Sequence, residues 1–97
     1  MKKIIRGLRY DTEAPRTVKI GEAGEGNAIS GDFHAWEAAL YRTGGGRYFL
    51  AGEGGALTIW RNTSLIPMTK AEALEWAERN LDPDEVEAAF GDMIKEA

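Results

Sequence analysis

Apolar and polar residues alternate with a period of two in short runs over the first two-thirds of the chain, which is typical of strands with one buried face. Residues 2–10 carry β-favouring isoleucines and are broken at Gly7, so they predict one strand or two short strands around a tight turn. Residues 16–20 alternate in the same way and predict a further strand. Three of the seven residues over 21–27 are glycine, which predicts a loop.

The middle of the chain predicts antiparallel strands that are connected by tight turns. Residues 32–40 fit either a capped helix or a strand, and the residues that follow them favour the strand. Residues 47–53 and 57–61 predict two more strands, because glycine-rich turns over 43–46 and 54–55 separate the apolar runs. Three consecutive antiparallel strands are therefore expected.

Two helices are predicted at the end of the chain, because both carry capping signals. Thr69 and Glu72 have the spacing of a capping box, in which each side chain bonds the backbone N–H of the other residue. Asp82, Pro83 and Glu85 repeat this signal at the start of a second helix. Apolar residues then recur at helical spacing along one face of each helix. They are Leu74, Ala77 and Leu81 in the first helix and Val86, Ala89, Phe90, Met93 and Ile94 in the second.

These elements predict an α+β fold in which an antiparallel β-meander of about four to five strands packs against two C-terminal helices. The 97 residues have the size of a single domain, with residues 1–68 mainly β and residues 69–97 helical. The chain contains no cysteine, and its apolar runs are far shorter than the roughly 18 residues of a membrane span. We therefore expect a soluble cytoplasmic protein without membrane contact, either a monomer or a homodimer.

The glycine-rich residues 44–60 do not match a nucleotide-binding loop. Gly52 and Gly54 are followed by Leu57 where a dinucleotide fingerprint requires a third glycine, and no Gly-Lys-Ser/Thr sequence is present. His34 is the only histidine, and neither metal-ligand spacing nor a nucleophile signature accompanies it. We therefore predict hairpin turns, no cofactor, no metal and no enzymatic activity.

Negative charge is concentrated in the last third of the chain. The net charge of −4 divides into +2 over residues 1–68 and −6 over residues 69–97. Two adjoining acidic helices could attract a basic partner, although acids near helix N-termini also stabilise the helix itself. We take these carboxylates as the predicted partner-binding residues. They are Glu72, Glu75, Glu78, Asp82, Asp84, Glu85 and Glu87.

An alternative hypothesis is a nucleic-acid-binding or regulatory module. Three aromatic residues and three arginines would form a stacking face if they shared one exposed side of the sheet. They are Tyr41, Tyr48 and Trp60 with Arg42, Arg47 and Arg61. The net negative charge disfavours nucleic acid as a partner, and the aromatic side chains suit a buried core better.

Several blocks of the chain resemble a set of small proteins carried by phages and integrative elements of bacteria. The blocks span most of the chain and agree with the family pattern in order and spacing. They are GLRYDTE over 7–13, LYRT over 40–43, YFLAGEGGA over 48–56 and IPMT over 66–69, followed by Ala73 and Trp76. The chain departs from the pattern at Pro15, at Met68 and over residues 61–65, where the relatives carry a longer glycine-rich insertion.

The resemblance implies an accessory protein of a mobile genetic element in a bacterial cytoplasm. Small proteins of that setting often inhibit host defence, and anti-CRISPR proteins are among them. The resemblance supplies no catalytic residues. We therefore predict an inhibitor that binds a protein partner such as a CRISPR effector complex, with carboxylates placed where the complex would bind nucleic-acid phosphates.

Overall fold

A four-stranded antiparallel sheet forms the centre of the protein in a computed structural model, which describes residues 1–26 and 33–97. The strands are β1 (Lys2–Ile5), β2 (Leu8–Asp11), β3 (Val18–Glu25), β4 (Trp36–Arg42), β5 (Tyr48–Gly54) and β6 (Leu65–Met68), and the helices are α1 (Lys70–Asn80) and α2 (Pro83–Phe90). The central sheet has the order β3-β4-β5-β6, and β1 and β2 form a separate hairpin. The predicted α+β fold is confirmed.

Both helices pack on one face of the central sheet and form the main core with it. Leu40 and Leu50 are paired across β4 and β5 and are almost completely buried in this core. The ring of Tyr48 stacks on Phe90 of α2, with 5.5 Å between the ring centroids. Burying each large apolar side chain contributes about 1.5–3 kcal/mol. Ala77 of α1 is fully buried as well, which lets the helix approach the sheet closely.

The β1–β2 hairpin covers part of the opposite face of the sheet. Its Tyr10 packs edge-on against Phe49, with 5.5 Å between the ring centroids, and Leu65 completes this smaller core. Tyr41 stacks on Phe49 from the neighbouring strand, with a centroid distance of 5.1 Å. The sheet is therefore buried by helices on one face and partly by a hairpin on the other.

Both predicted capping boxes are present. Thr69 Oγ1 accepts the Glu72 backbone N–H at 3.1 Å, and the Glu72 carboxylate accepts the Thr69 backbone N–H at 2.8 Å. Asp82 and Glu85 make the same reciprocal pair at 2.9 and 3.3 Å. These bonds satisfy backbone donors that the first turn of a helix otherwise leaves free.

The predicted loop over 21–27 is wrong, because β3 includes most of it. The glycines of this strand provide space for close packing. A Cβ atom at Gly21 would lie 2.8 Å from Leu81 Cδ1, and one at Gly24 would lie 2.6 Å from the carbonyl oxygen of Trp36. A high glycine content alone indicates a turn. Here the missing side chains instead allow Leu81 and the neighbouring strand β4 to approach the backbone of β3 closely.

The ambiguous segment over 32–40 forms a strand from Trp36 onwards, as the first part of β4. The alternative helix cap at Asp32 and the last residue of the predicted loop, Asn27, lie outside the described residues. The β4–β5 connection has the predicted glycine-rich turn, which the Thr43 backbone N–H closes by donating to the Arg47 carbonyl oxygen at 2.7 Å.

The predicted strand over 57–61 is also wrong. Thr58 Oγ1 accepts the Trp60 backbone N–H at 3.2 Å and caps a short 3₁₀ helix, Ile59–Arg61. Trp60 lies in this helical turn, and its side chain is buried in the main core. An aromatic residue of this kind is common in buried strands, which is why the sequence pattern predicts a strand here. The third strand of the meander is instead β6, which pairs with β5.

The second helix ends earlier than its apolar pattern predicts. It stops at Phe90, and a 3₁₀ turn over Gly91–Met93 follows. Met93 and Ile94, the last residues of the predicted stripe, are exposed, because glycine disfavours a continued helix at this point. Within the described ranges, no helix is long and apolar enough to span a bilayer.

Candidate partner-binding surface

The acidic residues predicted for partner binding occupy two kinds of environment on the helices. Glu72, Asp82 and Glu85 belong to the capping boxes, so their carboxylates already accept bonds from backbone N–H groups. Glu75 forms an ion pair with Arg79, with 2.6 Å between its Oε1 and Arg79 Nη2. The remaining three are exposed and make no ion pair with any described residue. They are Glu78, Asp84 and Glu87.

Three paired groups at the helices, those of Glu72, Lys70 and Asp92, have pKa values that favour their charged forms. Bonds from the backbone and side chain of Thr69 lower the pKa of Glu72 below its usual value. Lys70 Nζ bonds Asp92 Oδ2 at 2.6 Å, and this bond raises the pKa of Lys70 and lowers the pKa of Asp92. These groups contribute to helix stability, which accounts for their presence without any partner.

The sheet face opposite the helices carries a second acidic cluster, which sequence reasoning missed. Glu37 of β4 lies directly opposite Glu53 of β5 in the strand register, so both side chains leave the same face side by side. Glu22 of β3 lies diagonally next to Glu37 and forms an ion pair with Lys19 at 2.6 Å. All three glutamates are exposed, and we refer to them as the sheet glutamates.

Glu37 and Glu53 repel each other at neutral pH. The hydrogen bond that a protonated Glu37 carboxyl group donates to Glu53, and the negative charge of Glu53, raise the pKa of Glu37 above its usual value, and desolvation and the charge of Glu22 act in the same direction. A carboxyl group with a raised pKa in the folded state stabilises the fold at low pH, and this stabilisation is lost as the pH rises through the raised pKa. The pair therefore opposes folding at neutral pH.

Small residues form the floor between the sheet glutamates. Gly24, Ala39 and Ala51 lie on three adjacent strands and line a shallow groove of about 490 Å³ together with the glutamates. The amino group of Met1 lies at the same groove and donates to Thr12 Oγ1 at 3.0 Å. Among residues 1–26 and 33–97, no three acidic or histidine side chains are placed to hold a metal ion.

Three large apolar side chains are exposed at the end of the β4–β5 hairpin that lies away from its turn. Phe33, Leu57 and Ile59 are 64%, 64% and 72% exposed. The Leu57 backbone N–H donates to the Phe33 carbonyl oxygen at 2.9 Å, so these two residues extend the hairpin beyond the paired Trp36 and Gly54. A group of exposed apolar residues beside charged ones is typical of a protein interaction site.

The alternative stacking face is not formed by the predicted aromatic residues. Tyr48 and Trp60 are buried in the main core between the sheet and the helices. Tyr41 projects from the opposite face of the sheet and is half-buried against Phe49. The three rings therefore share no exposed surface on which bases could stack.

The strand register contains a signal for the sheet glutamates that can be read from the sequence. A hairpin that turns over 43–47 pairs Arg42 with Tyr48 and, five residues earlier in β4, pairs Glu37 with Glu53. These acids are far apart along the chain, so a count of charge by segment does not reveal them.

Comparisons of the chain with protein-family models, with curated proteins and with solved structures give no significant match. The resemblance to small proteins of phages and integrative elements therefore stays a prediction. The case for a function rests on the chemistry of the surface.

Proposed function

We propose that this protein is a small inhibitor or adaptor that binds a basic surface of a protein partner with its sheet glutamates. The partner class that fits best is a nucleic-acid-binding complex of host defence, such as a CRISPR effector complex. Such a complex holds nucleic acid in a positively charged channel. In that channel the glutamates take the place of phosphate groups, in the manner of an anti-CRISPR protein.

The placement of Glu37 beside Glu53 is the observation that carries this proposal. Like charges directly opposite each other on neighbouring strands oppose folding, and the fold needs neither charge for a cap or an ion pair within the described ranges. A lysine or arginine side chain between the two carboxylates would remove their repulsion and donate charge-assisted hydrogen bonds. Functional sites often contain such groups, which lower the stability of the fold.

The exposed apolar residues at the same end support a protein partner. Buried aromatic and aliphatic anchors carry most of the affinity in protein interfaces, and charges around them set specificity and association rate. Phe33 and Leu57, with Ile59 two residues further on, supply such anchors beyond the Trp36–Gly54 pair, which is next to the Glu37–Glu53 pair in the strand register. A partner with an apolar depression next to a basic side chain matches this arrangement.

The acidic helix residues cannot belong to the same flat contact. The helices pack on one face of the sheet, whereas the sheet glutamates leave the other face. A partner surface that covers Glu37 and Glu53 therefore leaves Glu78 and Glu87 in solvent on the far side of the sheet, where screening with a Debye length of about 8 Å weakens their attraction to the partner.

An order-of-addition experiment tests the proposed function. The purified chain is mixed with CRISPR effector complexes of the native host, either before or after the target DNA, and DNA binding is measured by gel mobility shift. We expect inhibition when the chain is added first and little effect on complexes that already hold DNA. The inhibition should weaken at higher salt, because it depends on charge complementarity.

Two results would contradict the proposal. One is the absence of any complex between the chain and an effector of the host at low salt. The other is equal inhibition of free and DNA-loaded effectors, because a chain that replaces phosphates cannot enter a channel that is already filled.

A further inference from the structure

Cationic side chains gather where the β1–β2 and β4–β5 hairpins turn. Arg9, Arg16 and Arg47 line one groove between the two hairpins. Arg47 also lines a second groove, together with Arg6 and Lys70. The two grooves adjoin each other at Arg47, so the five cations form a continuous surface.

A sixth cation, Arg42, lies close enough to Lys70 for their charges to interact. We refer to these six residues as the basic end, and all of them are exposed. Lys70 pairs with Asp92, but none of the five arginines forms an ion pair with a residue that the structure describes. Asp11 lines the first groove, and its Oδ1 is used by the Glu13 backbone N–H at 3.0 Å. The guanidinium groups therefore present their N–H donors to solvent.

The β4–β5 turn between these arginines consists of three consecutive glycines over residues 44–46, so it carries no side chains there. The stem of Arg16 packs on Gly44, where a Cβ atom would lie 2.6 Å from Arg16 Cβ. A Cβ atom at Gly45 would only touch Thr43 Oγ1 at 3.8 Å, whereas Gly46 faces open space and has a φ of 84° that favours glycine. A ligand backbone can therefore approach this turn closely, with arginines on both sides.

The tip of the other hairpin places a cation at a position that does not favour it. Arg6 has a φ of 52° and is followed by Gly7 with a φ of 78°. Two left-handed residues in a two-residue turn favour Asn-Gly, and a long side chain in the first position is unfavourable. The fold therefore retains a positive charge here at some loss of stability, which is frequent at functional sites.

From this geometry we infer that the basic end binds the phosphate backbone of duplex nucleic acid, independently of base sequence. A guanidinium group pairs with two phosphate oxygens at once, and a phosphodiester backbone offers charges at regular spacing to a row of such groups. Proteins that bind single strands use exposed aromatic side chains, whereas Tyr10 and Tyr48, which line these grooves, are buried. The duplex, with its higher density of phosphates, is the better ligand.

The Glu37–Glu53 pair does not cancel the basic end, and the acids that line its grooves, Asp11 and Glu72, both accept bonds from backbone N–H groups. The Glu37–Glu53 pair lies five residues along the strands from the Arg42–Tyr48 pair, which is about 17 Å. This separation is about two Debye lengths at physiological salt. The expectation that net charge disfavours nucleic acid neglects this segregation, and the duplex contact is independent of the proposed contact with a protein.

Fluorescence anisotropy with a labelled DNA duplex of about 20 base pairs tests this inference. If about four phosphates are contacted, affinity should fall roughly 50-fold between about 50 and about 150 mM salt. The double variant Arg9→Gln/Arg47→Gln should bind at least about tenfold more weakly at low salt, with a salt slope smaller by about two. The matched control Arg61→Gln/Arg79→Gln makes the same change of net charge away from the basic end and should bind as the original chain does.

Three outcomes would overturn the inference. The first is the absence of duplex binding at low salt, and the second is an equal loss of affinity in both double variants. The third is binding of polyglutamate with a matched number of charges as tightly as the duplex, which would assign the basic end to an acidic protein. Equal affinity for two duplexes of unrelated sequence is required by the inference, because no base contacts are involved.

Discussion

Arg6 forms the β1–β2 turn with Gly7, and both residues have positive φ values of 52° and 78°. Glycine and asparagine adopt this conformation readily, whereas other residues lose roughly 1 kcal/mol or more there. The glycine after Arg6 makes the turn predictable from sequence. The strained position of Arg6 depends on the length of the turn, which the sequence alone left open between one strand and two.

The substitution Arg6→Asn should therefore raise the stability of the fold and lower its affinity for duplex nucleic acid. The free energy of unfolding should rise by roughly 1 kcal/mol, because asparagine tolerates the left-handed region, while duplex binding weakens and its salt slope decreases by about one. Thermal unfolding and anisotropy measure the two effects. A variant that gains stability and keeps its full affinity would remove Arg6 from the basic end.

Glycine at position 52 is required by the close approach of a neighbouring strand. A Cβ atom there would lie 2.5 Å from the carbonyl oxygen of Glu37, so Gly52→Ala should destabilise the fold by about 1–3 kcal/mol. Gly45 is the matched control, because the nearest atom to its added Cβ would be Thr43 Oγ1 at 3.8 Å. Gly45→Ala should be neutral or slightly stabilising in urea unfolding. Equal effects at both positions would show that the strands can separate.

The repulsion between Glu37 and Glu53 predicts a stabilising substitution. Glu53→Gln removes one negative charge and keeps the size of the side chain, so Tm at pH 7 should rise. Because the pKa of Glu37 is raised, its carboxyl group is protonated first on acidification, and the difference in Tm should shrink towards about pH 4. A Tm difference that is independent of pH would mean that charge repulsion is not its cause.

Secondary-structure elements were predicted correctly where residues close in sequence determine them. The two capping boxes and the glycine-rich β4–β5 turn involve residues close in sequence, and all three are present. The second part of β3, from Gly21 onwards, and the 3₁₀ helix at Ile59–Arg61 were mispredicted, because packing against distant residues overrides local propensity there. Strand β6 has only four residues, one of them proline, and gains its order by pairing with β5.

The capping boxes should each contribute a separable part of the stability. Thr69→Ala and Asp82→Ala should each lower the free energy of unfolding by about 1 kcal/mol. The effects should add in the double variant, because the two caps share no hydrogen-bonding partner. Urea unfolding measures the changes, with Glu87→Ala as an exposed control within about 0.5 kcal/mol of the original chain. If both cap variants unfold at the same urea concentration as the original chain, the capping bonds do not contribute to stability.

At the scale of the whole molecule, charge is sorted by topology in a way that sequence segments do not show. The basic end combines residues from both hairpins and from the β2–β3 connection with the start of α1, and the sheet glutamates come from three different strands. The acidic helices, which dominate the charge by segment, lie on the other face of the sheet from these glutamates. Only the strand order and the register bring such groups together, so local signals predict the fold class, whereas the surface follows only once the register of the strands is known.

We propose that the sheet glutamates, and not the helix acids, contact the basic protein partner. The most direct test of this proposal is the dissociation constant of the chain for a CRISPR effector complex that it inhibits, measured for two double variants with the same change of net charge. Glu37→Gln/Glu53→Gln should weaken binding by about tenfold or more, while Glu78→Gln/Glu87→Gln should change it by less than about twofold. The opposite order would assign the partner to the helices and contradict the account.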